Sequence, residues 1–271
     1  MKGQFVHVWS LLAVAGLYNL ICCLPFRLAT LLPDYLLPSK TEKIALIVVD
    51  VQNDFLPPSG ALPVPEGREI VQVVERLVER CKWDVVVATQ DWHPPNHASF
   101  ASRWGVEPMS VVQYEYMGRR IDQIAWPDHC MKQTKPTMCL IGEAETPGAA
   151  LAFRSAAGKI DHYVRKGMIP DLDAYSGFAY RDYIAYTDLA RKLWDKHISH
   201  AYVVGLAADV CVVATAIDSI AFGFQTTVIT NATRAIKGKE GMEDMRRRIE
   251  TFGGRVVSLE DEQFRRFCPR Y

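Results

Sequence analysis

The sequence predicts an α/β fold in three layers: an open, mainly parallel sheet of about six strands with helices on both faces. Three observations predict it. Apolar runs without polar alternation recur along the chain, helical periodicity fills the gaps between them, and chemically reactive residues fall at the ends of the runs.

Residues 43–50 open the pattern, an unbroken aliphatic run that ends in Asp50. Residues 83–89, 201–205 and 226–230 repeat it, and 255–259 form a shorter version. Runs rich in β-branched residues and lacking alternation read as strands covered on both faces. Between them, 69–81 places Ile70, Val73, Val74, Leu77 and Val78 on one helical face. Further helices are predicted over 187–197, opened by Thr187 and Asp188, and over 210–222 and 239–252. Residues 100–147 have no clear period and carry Trp104, Tyr114, Tyr116 and Trp126, so a long functional loop with short elements is expected there. Strand alternating with helix puts the active site at the carboxyl ends of the strands. That rule singles out Asp50, then Gln90, Asp91 and His93, then 205–211.

At 271 residues and 49% hydrophobic content, the chain can bury a sizeable core. Lys+Arg and Asp+Glu both number 31, so nothing in the charge balance points to nucleic acid. The run Arg246, Arg247, Arg248 reads as a solvated helix face. Phosphate-loop and GxGxxG motifs are missing; Gly238-Lys239 is followed by Glu240, which cannot serve as the Ser or Thr of such a loop. The 7 cysteines form no CxxC pair, so neither a disulfide framework nor a four-cysteine zinc site is expected, and the catalytic part reads as a reduced, intracellular type.

The amino-terminus differs. Residues 5–26 are nearly all apolar, broken by His7, Ser10, Gly16 and Asn19 and flanked by Lys2 and Arg27. The run is close to the length of about 20 residues that spans a bilayer. The expected division is therefore 1–40, a targeting or anchoring extension that associates with a membrane through 5–26, and 41–271, the catalytic domain. A membrane-anchored or secretory location follows from that reading, and a cytoplasmic one if the segment has no such role. The sequon at Asn231 closes a core strand and is expected to be unmodified.

Six positions carry the chemistry. Asp91 and His93, two apart in an extended segment, point to one side and can share a metal ion. His129 is a candidate third donor, and a set of two histidines and a carboxylate suits zinc, iron or manganese with positions left open. Cys211 follows a strand exit and enters a helix, where the dipole would favour thiolate and backbone N–H groups could hold an oxyanion. Asp50 can take a thiol proton, and Lys166 beside it would keep that carboxylate ionised. Each residue also has an ordinary reading: an accidental DxH, a core cysteine, a turn aspartate, a surface lysine.

The motifs weigh differently when read together. Val48-Val49-Asp50-Val51-Gln52-Asn53-Asp54-Phe55, Gln90-Asp91-Trp92-His93-Pro94 with His97-Ala98-Ser99-Phe100, Trp126-Pro127-Asp128-His129-Cys130, Arg165-Lys166-Gly167, Asp173-Ala174-Tyr175-Ser176-Gly177-Phe178 and Gly205-Leu206-Ala207-Ala208-Asp209-Val210-Cys211 occur in that order. This series resembles the nicotinamidase branch of the isochorismatase-like cysteine hydrolases, most of all the eukaryotic, yeast-like members. Pro57-Pro58 departs from the family's glycine-rich turn, and 134–148 match loosely.

The resemblance implies a metal-dependent amidohydrolase of NAD salvage that turns nicotinamide into nicotinate and ammonia through a cysteine thioester, with pyrazinamide as a further substrate. It implies Asp50, Lys166 and Cys211 as the catalytic triad, and Ala207 and Cys211 N–H groups as the oxyanion hole beside a cis Leu206–Ala207 peptide. It implies Asp91, His93 and His129 as ligands of one divalent ion, zinc ahead of iron or manganese, with Ser99 near a metal-bound water. Phe55, Trp126 and Tyr175 would wall the pyridine ring, and a homo-oligomer is one expected state. The runner-up is a relative acting on a different small amide. A non-haem iron oxygenase would need neither Cys211 nor Lys166, a metal-free relative would lack the two histidine motifs, and a binding module would have lost a triad member.

Overall fold

The computed structural model describes residues 42–132, 146–153 and 156–268. The apolar stretch 5–26 and most of 134–148 lie outside the described residues. Among the described residues no helix is long and apolar enough to cross a membrane.

Among the described residues eight strands follow one another: β1 (Ile44–Val49), β2 (Val85–Asp91), β3 (Val111–Tyr116), β4 (Arg119–Ile124), β5 (His162–Lys166), β6 (His200–Leu206), β7 (Gln225–Arg234) and β8 (Arg255–Val257). Six build one sheet in the order β5-β2-β1-β6-β7-β8, with every neighbouring pair parallel. The helices are α1 (Ile70–Arg80), α2 (Ala101–Trp104), α3 (Leu189–Asp195), α4 (Val213–Ala221), α5 (Gly238–Thr251) and α6 (Glu262–Phe267).

The aliphatic runs are uninterrupted because the two faces of each strand enter different cores. On one side Leu46, Val48, Val86, Ala88, Tyr202 and Val204 pack with Ile70, Val74, Leu77 and Val78 of α1 and with Phe264 of α6. On the other, Ala45, Ile47, Val85, Val87, Ala201 and Val203 pack with Leu189 and Leu193 of α3, Val213 and Ala216 of α4, and Met245 and Ile249 of α5. Each buried Val, Leu or Ile contributes roughly 1.5–3 kcal/mol, so apolar residues dominate both sides and the buried polar ones, such as His200 and Thr227, pair with each other. Thr187 starts α3 as expected: its Oγ1 accepts the Leu189 N–H at 3.2 Å.

Three features depart from the sequence expectation. The aperiodic stretch contains a two-stranded hairpin, β3–β4, turned by Met117 and Gly118, both at positive φ (51° and 73°). Edge strand β5 went unpredicted because its polar, half-exposed residues interrupt the apolar pattern. Cys81, capping α1, and Cys268, just after α6, form a disulfide across 187 residues of sequence. This corrects the expectation of a chain without one: spacing cannot pair cysteines that only the packing of α6 over the α1 face brings together. Asn231 lies inside β7, and its Oδ1 accepts the Leu259 N–H at 2.9 Å.

Candidate active site

Four adjacent strands, β5, β2, β1 and β6, end at one edge of the sheet, and each delivers one reactive group there. Lys166 and Asp91 are register partners at the ends of β5 and β2. Asp50 follows β1 at φ 49°, where its N–H meets Thr89 Oγ1 at 3.3 Å and its Oδ1 accepts the Thr89 hydroxyl at 2.6 Å. Cys211 stands in a wide π-type turn, 208–212, between β6 and α4, where the N–H groups of Val210 and Val212 both donate to the Ala207 carbonyl. Gly205 makes this approach sterically feasible: at φ 122°, a Cβ would sit 2.0 Å from the Val49 carbonyl oxygen.

Lys166 holds the cluster together. Its Nζ lies 2.8 Å from Asp50 Oδ2, 2.6 Å from Asp91 Oδ1, 3.0 Å from the Ala174 carbonyl and 3.5 Å from Cys211 Sγ, and it is wholly buried. The Asp50 Oδ2 contact is an ion pair without good hydrogen-bond geometry, so this oxygen keeps accepting capacity. One oxygen from each of Asp50 and Asp91 lies within 4.8 Å of the thiol sulfur.

Burial dominates the titration here. It pushes the Cys211 thiol well up; Lys166 opposes this, and the two carboxylates add to it. The expected helix-dipole thiolate is therefore corrected: a dry site beside two carboxylates favours the neutral thiol. Asp50 is likewise raised by burial, with Lys166 pulling it down and Asp91 pushing it up, so the lysine does not hold it low. Asp91 is different, because Lys166 and His93 outweigh burial and keep it well below the usual carboxylate range. Burial works against the Lys166 charge, yet its acidic neighbours hold it well above the ordinary range.

Beside this cluster, Asp91 Oδ2 lies 3.7 Å from both His93 Nε2 and His129 Nε2. His93 Nδ1 is 2.9 Å from the Gly167 carbonyl and His129 Nδ1 is 2.7 Å from the Pro127 carbonyl. A carbonyl only accepts, so each Nδ1 carries a proton, and in the neutral ring each Nε2 has a lone pair free on the side of Asp91. Two fixed imidazole lone pairs and a carboxylate oxygen, all buried, fit a divalent metal ion. Gly167, at φ 63°, is part of that cradle: a Cβ there would stand 2.3 Å from His93 Cε1. Gly167→Ala should displace the ring and weaken metal affinity about 10–100-fold, read by elemental analysis of the purified protein across added chelator. Wild-type affinity would show that the ring tolerates the extra carbon.

The same pocket is lined by Phe55, Trp126, Tyr175, Ala207 and Cys211 together with Asp91, His93, His129 and Asp173. Every predicted site residue is thus brought to one place, with Asp50 and Lys166 buried behind the lining. The Leu206–Ala207 peptide is cis. Ser99 is buried and its Oγ pairs with His97 Nδ1 at 2.7 Å. His97 stacks on His93 at 4.2 Å, and burial lowers it to about 4. Sequence reasoning gave Thr89 no role beyond its place beside the Gln90-Asp91-Trp92-His93 motif, and it missed Gln123. Gln123 on β4 sends its Nε2 to Asp173 Oδ2 at 3.0 Å and to the Tyr175 hydroxyl at 3.2 Å, which the Trp126 indole N–H also meets at 3.2 Å. A larger groove, about 1080 Å³, runs beside β5, but it holds none of the reactive cluster, so chemistry and not size locates the site.

Comparison with known proteins agrees with this geometry. Residues 171–261 match the isochorismatase domain family. A nicotinamidase from Escherichia coli is 39% identical over 194 residues, covering 71% of this chain and 83% of that protein. The yeast nicotinamidase bound to the inhibitor nicotinaldehyde superposes with a TM-score of 0.70 at 31% identity, covering 79% of this chain and 99% of that one. The pyrazinamidase of Pyrococcus horikoshii in complex with zinc gives 0.61 at 33% identity, covering 80% and 99%. With this identity over most of both chains, the protein belongs to the nicotinamidase family of isochorismatase-like hydrolases.

Proposed function

We propose that the chain hydrolyses nicotinamide to nicotinate and ammonia with Cys211 as nucleophile. The observation that carries this reading is the buried Lys166 Nζ, within 3.5 Å of Cys211 Sγ and paired to both Asp50 and Asp91 beside the three-donor cluster. Family membership supports it, since the relatives named above are nicotinamidases and a pyrazinamidase.

Asp50 takes the proton of the Cys211 thiol, and the sulfur attacks the carboxamide carbon. Burial raises Asp50, so it holds a proton more readily than a free carboxylate would, which suits it to take one from the thiol. Lys166 balances the charge as the proton moves. The N–H groups of Ala207 and Cys211 hold the tetrahedral oxyanion, each such donor contributing roughly 3 kcal/mol. Asp50 then returns the proton to the departing nitrogen, ammonia leaves and a thioester remains. The same carboxylate accepts a proton from water, whose oxygen attacks the thioester carbon. Nicotinate departs and the sulfur regains a proton.

Asp91, His93 and His129 would hold the ion, and the mixed nitrogen–oxygen donor set favours zinc, with iron and manganese as alternatives. When bound, such an ion supplies a Lewis acid that can anchor the pyridine nitrogen. Phe55, Trp126 and Tyr175 wall the ring. Pyrazinamide, which keeps a ring nitrogen and the carboxamide, is a second substrate.

The test is ammonia release from nicotinamide by the purified protein, with metal content measured on the same sample. Turnover proportional to bound metal is expected. No release from nicotinamide, with release from another small amide, would move the protein to the runner-up activity.

A further inference from the structure

Asp173 lines the ring pocket, yet the reaction outlined above leaves it without a task. It is 5% exposed and stands with His93 and His97, donor atoms within 4.8 Å of one another. Its Oδ1 accepts the Ala174 N–H at 2.8 Å and its Oδ2 accepts Gln123 Nε2 at 3.0 Å. A carboxylate has about four lone-pair sites, so two hydrogen bonds leave it with accepting capacity and a charge that neutral donors do not cancel. Among the described residues its oxygens pair with no lysine or arginine, unlike Asp50 and Asp91, which share Lys166.

The reaction changes the charge of what the pocket holds. The carboxamide is neutral and the product is a carboxylate. A fixed negative charge in a water-poor cavity disfavours an anion far more than a neutral molecule of the same shape. We infer that Asp173 is a specificity-determining residue that weakens retention of the anionic carboxylate product relative to the neutral carboxamide. This inference rests on the activity proposed above and adds to it a reason for product to leave.

The test uses zinc-loaded protein carrying Cys211→Ala, so that nicotinamide is bound and not consumed. Asp173→Asn is close to isosteric, and Gln123 Oε1, which has no hydrogen-bond partner, can accept from the new amide. Calorimetric titrations near neutral pH compare nicotinamide and nicotinate on the parent, on Asp173→Asn and on Asp173→Glu. Asp173→Asn should tighten nicotinate about tenfold, equal to about 1.4 kcal/mol, and move nicotinamide less than about threefold. Asp173→Glu should keep the parent's ratio of the two affinities. An unchanged ratio in Asp173→Asn overturns the inference, as does an equal shift in Asp173→Glu, which would make the effect steric. A parent that binds no nicotinamide overturns the proposed activity and this inference together; an unchanged ratio in a parent that binds it removes the inference alone.

Discussion

Cys211→Ala should cut nicotinamide turnover by about three orders of magnitude or more, at least roughly 4 kcal/mol of barrier, while nicotinamide still binds. The sulfur is the atom that would bond the carboxamide carbon, and no other thiol lines the pocket among the described residues. Ground-state contact comes from the aromatic walls and the metal-ligand cluster, which the substitution leaves in place. Cys211 is 6% exposed, and the change removes one sulfur atom from the π-type turn without disturbing that turn's backbone bonds to the Ala207 carbonyl. Single-turnover and steady-state ammonia release check the rate, and calorimetry checks binding. Turnover within about tenfold of wild type, roughly 1.4 kcal/mol, would rule out Cys211 as nucleophile.

Lys166→Met should be as damaging to rate and should also destabilise the fold. The wild-type ammonium meets Asp50, Asp91 and the Ala174 carbonyl in a wholly buried position. Removing one partner of such a set leaves uncompensated charge and costs about 3–5 kcal/mol. The direction with pH follows from Asp50. Without the lysine its folded-state affinity for a proton rises further, so the folded variant binds more protons than the unfolded chain. Stability then falls as pH rises from the free carboxylate range toward neutrality. The variant's deficit should therefore be smallest in acid and largest near neutral pH. Thermal unfolding across that range reads it, and a midpoint within about 2 °C of wild type at neutral pH would contradict the pairing.

The legible parts of the fold share a physical signature. β1, β2 and β6 are seen in the sequence because both of their faces are covered, which favours unbroken aliphatic runs, and β7 through its shorter Val228-Ile229 core. β5 has one free edge and alternates polar residues, so its pattern is weak even though Lys166 ends it. The β3–β4 hairpin also alternates, but its turn is Met117-Gly118 where Asn-Gly would be the usual cue for two residues at positive φ. At the site, the order of motifs locates Asp50, Asp91, His93, His129, Lys166 and Cys211, and the structure brings them together. Their protonation was less accessible, because desolvation depends on what packs around a thiol and not on its neighbours in sequence. Gln123 escaped notice for a related reason: a lone glutamine on an unpredicted strand carries no chemical signature until Asp173 and Tyr175 are seen against it.

The hairpin divides labour within the molecule. Bond-making groups stand on the rigid sheet, at the ends of four strands locked between two cores. Part of the ring pocket arises elsewhere: Trp126 of its wall stands just beyond β4, and Gln123 on β4 holds the wall residues Asp173 and Tyr175 by hydrogen bonds. The strands of that appendage form a separate two-stranded sheet, tied to the rest by bonds to residues 171–182 and not by pairing with the main sheet. Its residues can therefore be exchanged or lengthened without shifting the strand register that aligns Lys166 with Asp91. Choice of substrate and power to cleave it are thus separately adjustable in this architecture, and a library confined to residues 111–126 would retune the first while sparing the second.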